Sequence, residues 1–91
     1  MYRIIVTAKK QLKGYCHVHK EGDTFIIEEG QIIRLVKGNG ICIYALAAML
    51  PLFPALSKEL PADDWMSAEV QEYICLDPEN TMLFEIKREK V

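Results

Sequence analysis

Cysteine and histidine are the residue types in this sequence best suited to chemistry, and they number three and two. Cys16 and His19 form a C-x-x-H pair, a spacing that lets both side chains reach one metal ion from a turn. Cys42 and Cys75 would complete a Cys₃His set if the fold brought them to the same place. These four residues are therefore the predicted metal ligands, with zinc or iron as the expected ion.

A second hypothesis uses some of the same residues for thiol chemistry. Cys42 follows a glycine-rich break at residues 37–40 and stands at the predicted start of a helix. Unpaired N–H groups and the helix dipole favour a thiolate at such a position. In a thiol-dependent enzyme or redox protein, Cys42 would be the nucleophile and His19 its general base, with Asp23 or Lys20 orienting the base.

The simplest alternative assigns no chemistry to these residues. Free cysteines behave as small hydrophobes and are often buried, which suits Cys75 in a predicted strand better than Cys16 in a polar loop. Gly22 and Asp23 are expected to form the turn into the next strand. The chain would then be a structural or accessory subunit. We favour a binding module for a metal ion or a small-molecule ligand, and the other two hypotheses stay open.

Hydrophobic alternation predicts the strands that must position this site. Residues 2–9 alternate as a strand with one buried face. Residues 24–28 and 31–36 are rich in β-formers and are predicted to pair as a hairpin across Glu29 and Gly30. The face of the first strand predicted to be buried holds Tyr2, Ile4, Val6 and Ala8.

The period then changes to that of a helix. Residues 41–50 predict a helix that is apolar almost all round and must therefore be central or at an interface. Pro51 is expected to end or kink it, and residues 52–60 to continue as a second short helix. Asp63 is able to cap a further helical start, and the rings of Tyr44 and Trp65 could line a pocket or belong to the core or an interface.

The end of the chain predicts a second hairpin. Residues 70–76 and 82–88 read as strands, and residues 77–80 (Asp-Pro-Glu-Asn) fit a type I turn between them. Helices that interrupt a mostly antiparallel set of strands indicate an α+β fold. We expect one domain over residues 1–91, with the central apolar helix packed on one face of a small sheet.

Composition excludes some classes of function. The net charge is −2 and no segment carries a basic stripe, which argues against nucleic-acid binding. The longest apolar stretch, residues 41–56, is broken by prolines and is shorter than the roughly 20 residues that span a bilayer. An odd number of cysteines argues against a disulfide framework, so we expect a cytoplasmic protein. Since 51% of the residues are hydrophobic in so short a chain, we also predict a homo-oligomer.

Three sequence patterns together cover nearly the whole chain: G-x-C-x-x-H-K-x-G-D-x-F, G-x-C-x-x-A-x-x-x-L-x-P and C-x-D-P followed by F-x-I-x-R. Together they resemble a family of small uncharacterised prokaryotic proteins of similar length, for which no activity is established. The resemblance selects His19 rather than His17 as the motif histidine. A proline that often follows the second and third cysteines of the family is replaced by Ile43 and Leu76. The matching residues are Gly14, Cys16, His19, Lys20, Gly22, Asp23, Phe25, Gly40, Cys42, Ala45, Cys75, Asp77, Pro78, Phe84, Ile86 and Arg88, with Leu50 and Pro51 more loosely placed.

Overall fold

The computed structural model describes residues 1–91 as a two-layer α+β fold, as the sequence predicts. Five antiparallel strands form one sheet in the order β3-β2-β1-β5-β4, and a bent helical segment covers one face. The strands are β1 (Tyr2–Gln11), β2 (Thr24–Glu28), β3 (Ile32–Lys37), β4 (Val70–Ile74) and β5 (Met82–Lys90). The helices are α1 (Ile43–Met49) and α2 (Phe53–Leu56), with 3₁₀ turns at Leu50–Leu52 and Trp65–Ser67.

Strand β1 is the centre of the sheet because both chain halves pair with it. It pairs with β2 through residues such as Val6 and Phe25, and with β5 through residues such as Val6 and Ile86. Its alternation is as predicted: Ile4, Val6 and Ala8 are buried in the core. The other face carries charges, with Arg3 bound to glutamates of β2 and β5 and Lys9 to glutamates of β4 and β5. Such exposed ion pairs add little stability, so most of the stability of the fold comes from the apolar side chains buried on the covered face.

The helical segment buries a single stripe. Ala45, Met49, Phe53 and Leu56 are its fully covered positions, and this spacing of four, four and three keeps them on one side of a helix. Pro51 kinks the segment rather than ending it, because the chain tightens into a 3₁₀ turn and then resumes as α2. The opposite side of α1, which includes Ile43, Tyr44 and Ala47, is exposed in the single chain, so the prediction of a central or interface helix holds within the chain only for this stripe.

Several predicted boundaries need correction. Strand β1 runs to Gln11, and β4 ends at Ile74 because Cys75 and Leu76 already lead into the turn. The short helical turn that begins at Trp65 is capped by Asp64, not by Asp63. The Asp64 carboxylate accepts a hydrogen bond from the N–H of Met66 at 2.9 Å.

Arg88 joins the two layers at the end of the helical segment. Its buried guanidinium donates hydrogen bonds to the carbonyl oxygens of Leu56, Ser67 and Lys58, at 2.9, 3.0 and 2.6 Å. The ring of Tyr2 covers the guanidinium from 4.0 Å. The arginine of the F-x-I-x-R pattern in β5 therefore has a structural explanation, because Arg88 joins the sheet to the helical layer. No helix of the fold has the length and apolar character needed to cross a bilayer.

Candidate functional site

The loop that carries Cys16 and His19 is fastened to the turn of the second hairpin. The N–H of Tyr15 donates to the side-chain oxygen of Asn80 at 3.0 Å, and Lys13 is bonded to the carbonyl of Thr81. Gly14 has a φ of 64°, and a Cβ there would lie 2.2 Å from the carbonyl oxygen of Glu79. Only glycine permits this close approach, which brings the two segments together.

A chain of hydrogen bonds then links this loop to the start of α1. The N–H of His19 donates to the sulfur of Cys16 at 3.3 Å. The N–H of Cys42 in turn donates to Nε2 of the His19 ring at 3.0 Å. Cys16 is itself held by its own N–H, which donates to the side chain of Gln11. His19 is therefore the connection between the loop and the helical layer.

Cys75 follows the last residue of β4 and is buried, as its predicted strand position suggested. Its sulfur accepts the N–H of Met82 at 3.5 Å and lies 3.7 Å from the carbonyl oxygen of Asn80 and 3.9 Å from that of Asp77. The Cys75 sulfur therefore lies among the backbone groups of the second hairpin's turn.

These segments form a cavity of about 130 Å³ that is open to solvent on one side and lined mainly by hydrophobic residues. The structure brings all four sequence-predicted residues, Cys16, His19, Cys42 and Cys75, to its wall. Buried side chains form the inner part, and exposed or half-buried ones surround the opening. The inner part is completed by Ala45, Met82 and Phe84, and the outer part by Tyr15, His17, Val18, Tyr44, Asp77 and Asn80.

The His19 ring is buried between two phenylalanines. It exposes 3% of its surface and packs against Phe25 and Phe84, with ring centroids 6.4 and 5.2 Å away. Burial lowers the pKa of His19 below its ordinary value of 6.5, and the nearby charge of Asp23 only partly opposes this. The ring is thus neutral near pH 7. Because Nε2 accepts the Cys42 N–H, the ring proton is on Nδ1, which is buried and has no hydrogen-bond partner.

This geometry bears on the predicted metal site. No group of three or more histidine, cysteine, aspartate or glutamate side chains is arranged to hold a metal ion. In the observed arrangement neither nitrogen of His19 offers a free lone pair, since Nε2 is occupied and Nδ1 is protonated. To bind a metal, His19 would have to give up its bond to Cys42. Zinc or iron at this site stays a prediction.

The hydrogen bonds of His19 and Asp23 also bear on the hypothesis of a thiol-dependent enzyme. Nε2 of His19, the basic nitrogen, accepts the backbone N–H of Cys42 and is therefore already engaged in a hydrogen bond. Asp23 is buried, and its carboxylate accepts the N–H of Lys20 at 3.0 Å, which closes the turn expected around Gly22. Lys20 is exposed. The observed bonds give Asp23 a structural role in this turn, and no hydrogen bond joins the side chains of Cys42, His19 and Asp23. A thiol-dependent activity of Cys42 with His19 stays a prediction.

Sequence reasoning missed several residues of the site. Gln11, Asn80, Met82 and Phe84 hold or line the cavity, yet their residue types suggest no chemistry. The signal available for the loop contact was Gly14, an isolated glycine that supplies a positive φ. Of the two large rings singled out, Tyr44 lines the outer part of the cavity, whereas Trp65 is 67% exposed and lies elsewhere.

Comparison with known proteins adds no assignment. No family model matches the chain, and no significant match is found among curated proteins or solved structures. The resemblance to a prokaryotic family drawn from the sequence patterns is therefore untested. The function has to be argued from the cavity itself.

Proposed function

We propose that this protein is a small-molecule binding module whose ligand occupies the cavity lined by Cys16, His19, Cys42 and Cys75. The observation that supports the proposal is the cavity itself, built from three separate segments around a mainly hydrophobic interior. Binding sites for small molecules are typically concave and apolar with a few polar groups. This cavity has that character, with Asp77 and Asn80 near its opening.

The size and walls of the cavity define the class of ligand. Its volume of about 130 Å³ is close to that of apolar cavities, roughly 150 Å³, that accept benzene. The buried wall residues Ala45, Met82 and Phe84 offer no charge. We therefore assign a ligand with an apolar body about as large as a benzene ring, and with any polar group directed to the opening.

The metal form of the same proposal is a second candidate. It is favoured by the donor types and by the backbone N–H groups that already bond the sulfurs of Cys16 and Cys75, since coordinated ligands are commonly held by outer hydrogen bonds. It requires His19 to release the Cys42 N–H, or the sulfurs to bind the ion without His19. Zinc and iron are the ions to test.

The decisive experiment is thermal unfolding of the protein with benzene, phenol and indole as probes. A probe at a hundred times its dissociation constant stabilises the folded state by about 2.7 kcal/mol. Ala45→Leu adds side-chain volume at the cavity wall and is expected to abolish this stabilisation. Ala47→Leu, on the exposed side of the same helix, is the matched control and should leave it unchanged.

Two other results would change the assignment. If no probe stabilises the protein while Ala45→Leu alone does, the cavity is only a packing void and the proposal fails. If Zn²⁺ or Fe²⁺ stabilises the protein, and Cys16→Ser and Cys75→Ser both remove the effect, the metal form replaces the organic ligand. Elemental analysis of protein purified without chelator then gives the number of ions bound.

A further inference from the structure

The residues that line the cavity include a single carboxylate, that of Asp77, and no lysine or arginine. The basic side chains of the wall are the two histidines, of which His19 is neutral near pH 7. An aspartate is ordinarily ionised at this pH, and Asp77 takes part in no ion pair within the chain. The opening of the cavity therefore carries a negative charge that no salt bridge neutralises.

Hydrogen bonds place the Asp77 carboxylate beside this opening. The side chain of Asn80, itself part of the cavity wall, donates from Nδ2 to Oδ2 of Asp77 at 3.4 Å. The oxygen of the same Asn80 amide accepts the N–H of Tyr15 at 3.0 Å. Asn80 thus joins the carboxylate to the loop that carries Tyr15 and Cys16, and both of these residues line the cavity.

The two oxygens of this carboxylate are not equally occupied. Oδ1 accepts the N–H groups of Glu79 and Asn80 at 3.0 and 3.1 Å, which holds the turn of the second hairpin. Oδ2 accepts only the longer bond from the Asn80 side chain. Since each carboxylate oxygen has about two lone-pair sites, Oδ2 can accept a further donor without disturbing the turn.

Three aromatic rings share the opening with Asp77. They belong to Tyr15, His17 and Tyr44, and the rings of Tyr15 and His17 pack edge to face with their centroids 4.9 Å apart. Tyr44 and Asp77 also line a second depression together, next to the cavity. Because the faces of tyrosine rings attract cations, rings and a carboxylate at one opening favour a positively charged group.

We propose that the ligand of this cavity is an organic cation, with its apolar body in the cavity and an ammonium group at the opening, paired with Oδ2 of Asp77. The inference rests on the proposed function and names the ligand class for the same site. An anionic ligand is disfavoured, because it would meet the Asp77 carboxylate and find no lysine or arginine on the wall.

Three probes that share one benzene ring test the charge of the ligand: benzylammonium, benzyl alcohol and benzoate. Isothermal titration calorimetry at pH 8, where histidine side chains are ordinarily neutral, measures their dissociation constants. The charge-assisted hydrogen bond to Asp77 should make benzylammonium bind about tenfold more tightly than benzyl alcohol, a difference of about 1.4 kcal/mol. Benzoate should bind more weakly than either, because its carboxylate would face Asp77.

Two variants of the same turn test the role of Asp77. Asp77→Asn keeps an oxygen for the N–H groups of Glu79 and Asn80 and removes the charge. It should weaken the binding of benzylammonium about tenfold and change that of benzyl alcohol by less than about twofold. Glu79→Gln is the matched control, since it removes a carboxylate that is exposed and outside the cavity wall. It should change the binding of either probe by less than about twofold.

The outcomes separate this inference from the proposed function. If wild-type protein binds benzylammonium no more tightly than benzyl alcohol, or if a folded Asp77→Asn protein loses both probes equally, the organic cation is ruled out and the apolar ligand stands. If none of the three probes binds and benzene also fails, the proposed function is wrong and the cation falls with it. Circular dichroism shows whether Asp77→Asn is folded, and the comparison of probes on wild-type protein decides the matter if it is not.

Discussion

Replacing Arg88 is the most informative stability experiment on this fold, because one side chain connects the sheet to the end of the helical segment. Arg88→Met keeps most of the aliphatic stem and removes the guanidinium. Three hydrogen bonds to carbonyl oxygens are lost, together with the contact to the Tyr2 ring. Hydrogen bonds from a charged donor contribute about 1.5–3 kcal/mol each, which sets an upper limit of about 9 kcal/mol.

The expected loss is smaller than this limit for two reasons. Burying a cation has its own desolvation cost, and the variant no longer bears it. Water can also reach the carbonyls of the exposed Lys58 and the half-buried Ser67, whereas the carbonyl of the fully buried Leu56 is left without a partner. One unsatisfied buried carbonyl costs about 1–3 kcal/mol. With the lost cation–π contact of about 1–2 kcal/mol, we expect a destabilisation of about 3 kcal/mol.

Thermal and urea unfolding measure this change directly. For a domain of this size, about 3 kcal/mol corresponds to a fall in Tm of roughly 12–24 °C. Lys87→Met is the matched control, since Lys87 is the exposed neighbour and makes no ion pair. Arg88→Lys should fall between the two, because it keeps the charge but not the planar set of donors. A Tm for Arg88→Met within about 4 °C of wild type would refute the reasoning.

Two further predictions concern the site. Gly14→Ala should lower the free energy of unfolding by at least about 2 kcal/mol, because a Cβ at this positive φ would meet the Glu79 carbonyl oxygen. The control Gly40→Ala, which has open space around it, should change the free energy of unfolding by less than about 0.5 kcal/mol. Equal effects of the two variants in urea unfolding would contradict this contact. Because burial lowers the pKa of His19, the unfolded chain binds a proton more readily than the folded one, so stability should decline as the pH falls below about 6.5. His19→Gln should flatten this slope in urea midpoints measured between about pH 5 and 7.5, and an unchanged slope would assign it to other groups.

The strands were predictable from sequence because their signals are local. The alternation in β1 and the turn residues of both hairpins act over a few positions, so Val6 and Asp77 could be placed without knowing the rest of the chain. The helical kink at Pro51 is local in the same sense. Strand ends and the cap at Asp64 depend on which of two adjacent residues forms the better hydrogen bond. Such choices are decided by geometry that spacing alone does not contain.

The site was only partly predictable because its bonds join distant parts of the chain. The sequence suggested that Cys16, His19, Cys42 and Cys75 could converge, and they do line one cavity. It could not show that Nε2 of His19 accepts the backbone N–H of Cys42, 23 positions away, rather than facing a metal or a thiol. Backbone groups are the same in every residue, so a side chain that binds one leaves no compositional signal.

The unpaired histidine donor at the cavity supports the case for an occupant. A folded chain of 91 residues has a total stability on the order of 5–14 kcal/mol. The partnerless Nδ1–H of His19 costs about 1–3 kcal/mol of this. Because the cavity is open to solvent, a ligand with an apolar body stabilises the protein by removing the apolar wall from water. If its binding also gives Nδ1–H an acceptor, the ligand recovers the cost of the unpaired donor, so that it is expected to stabilise the protein beyond what its contact area alone provides.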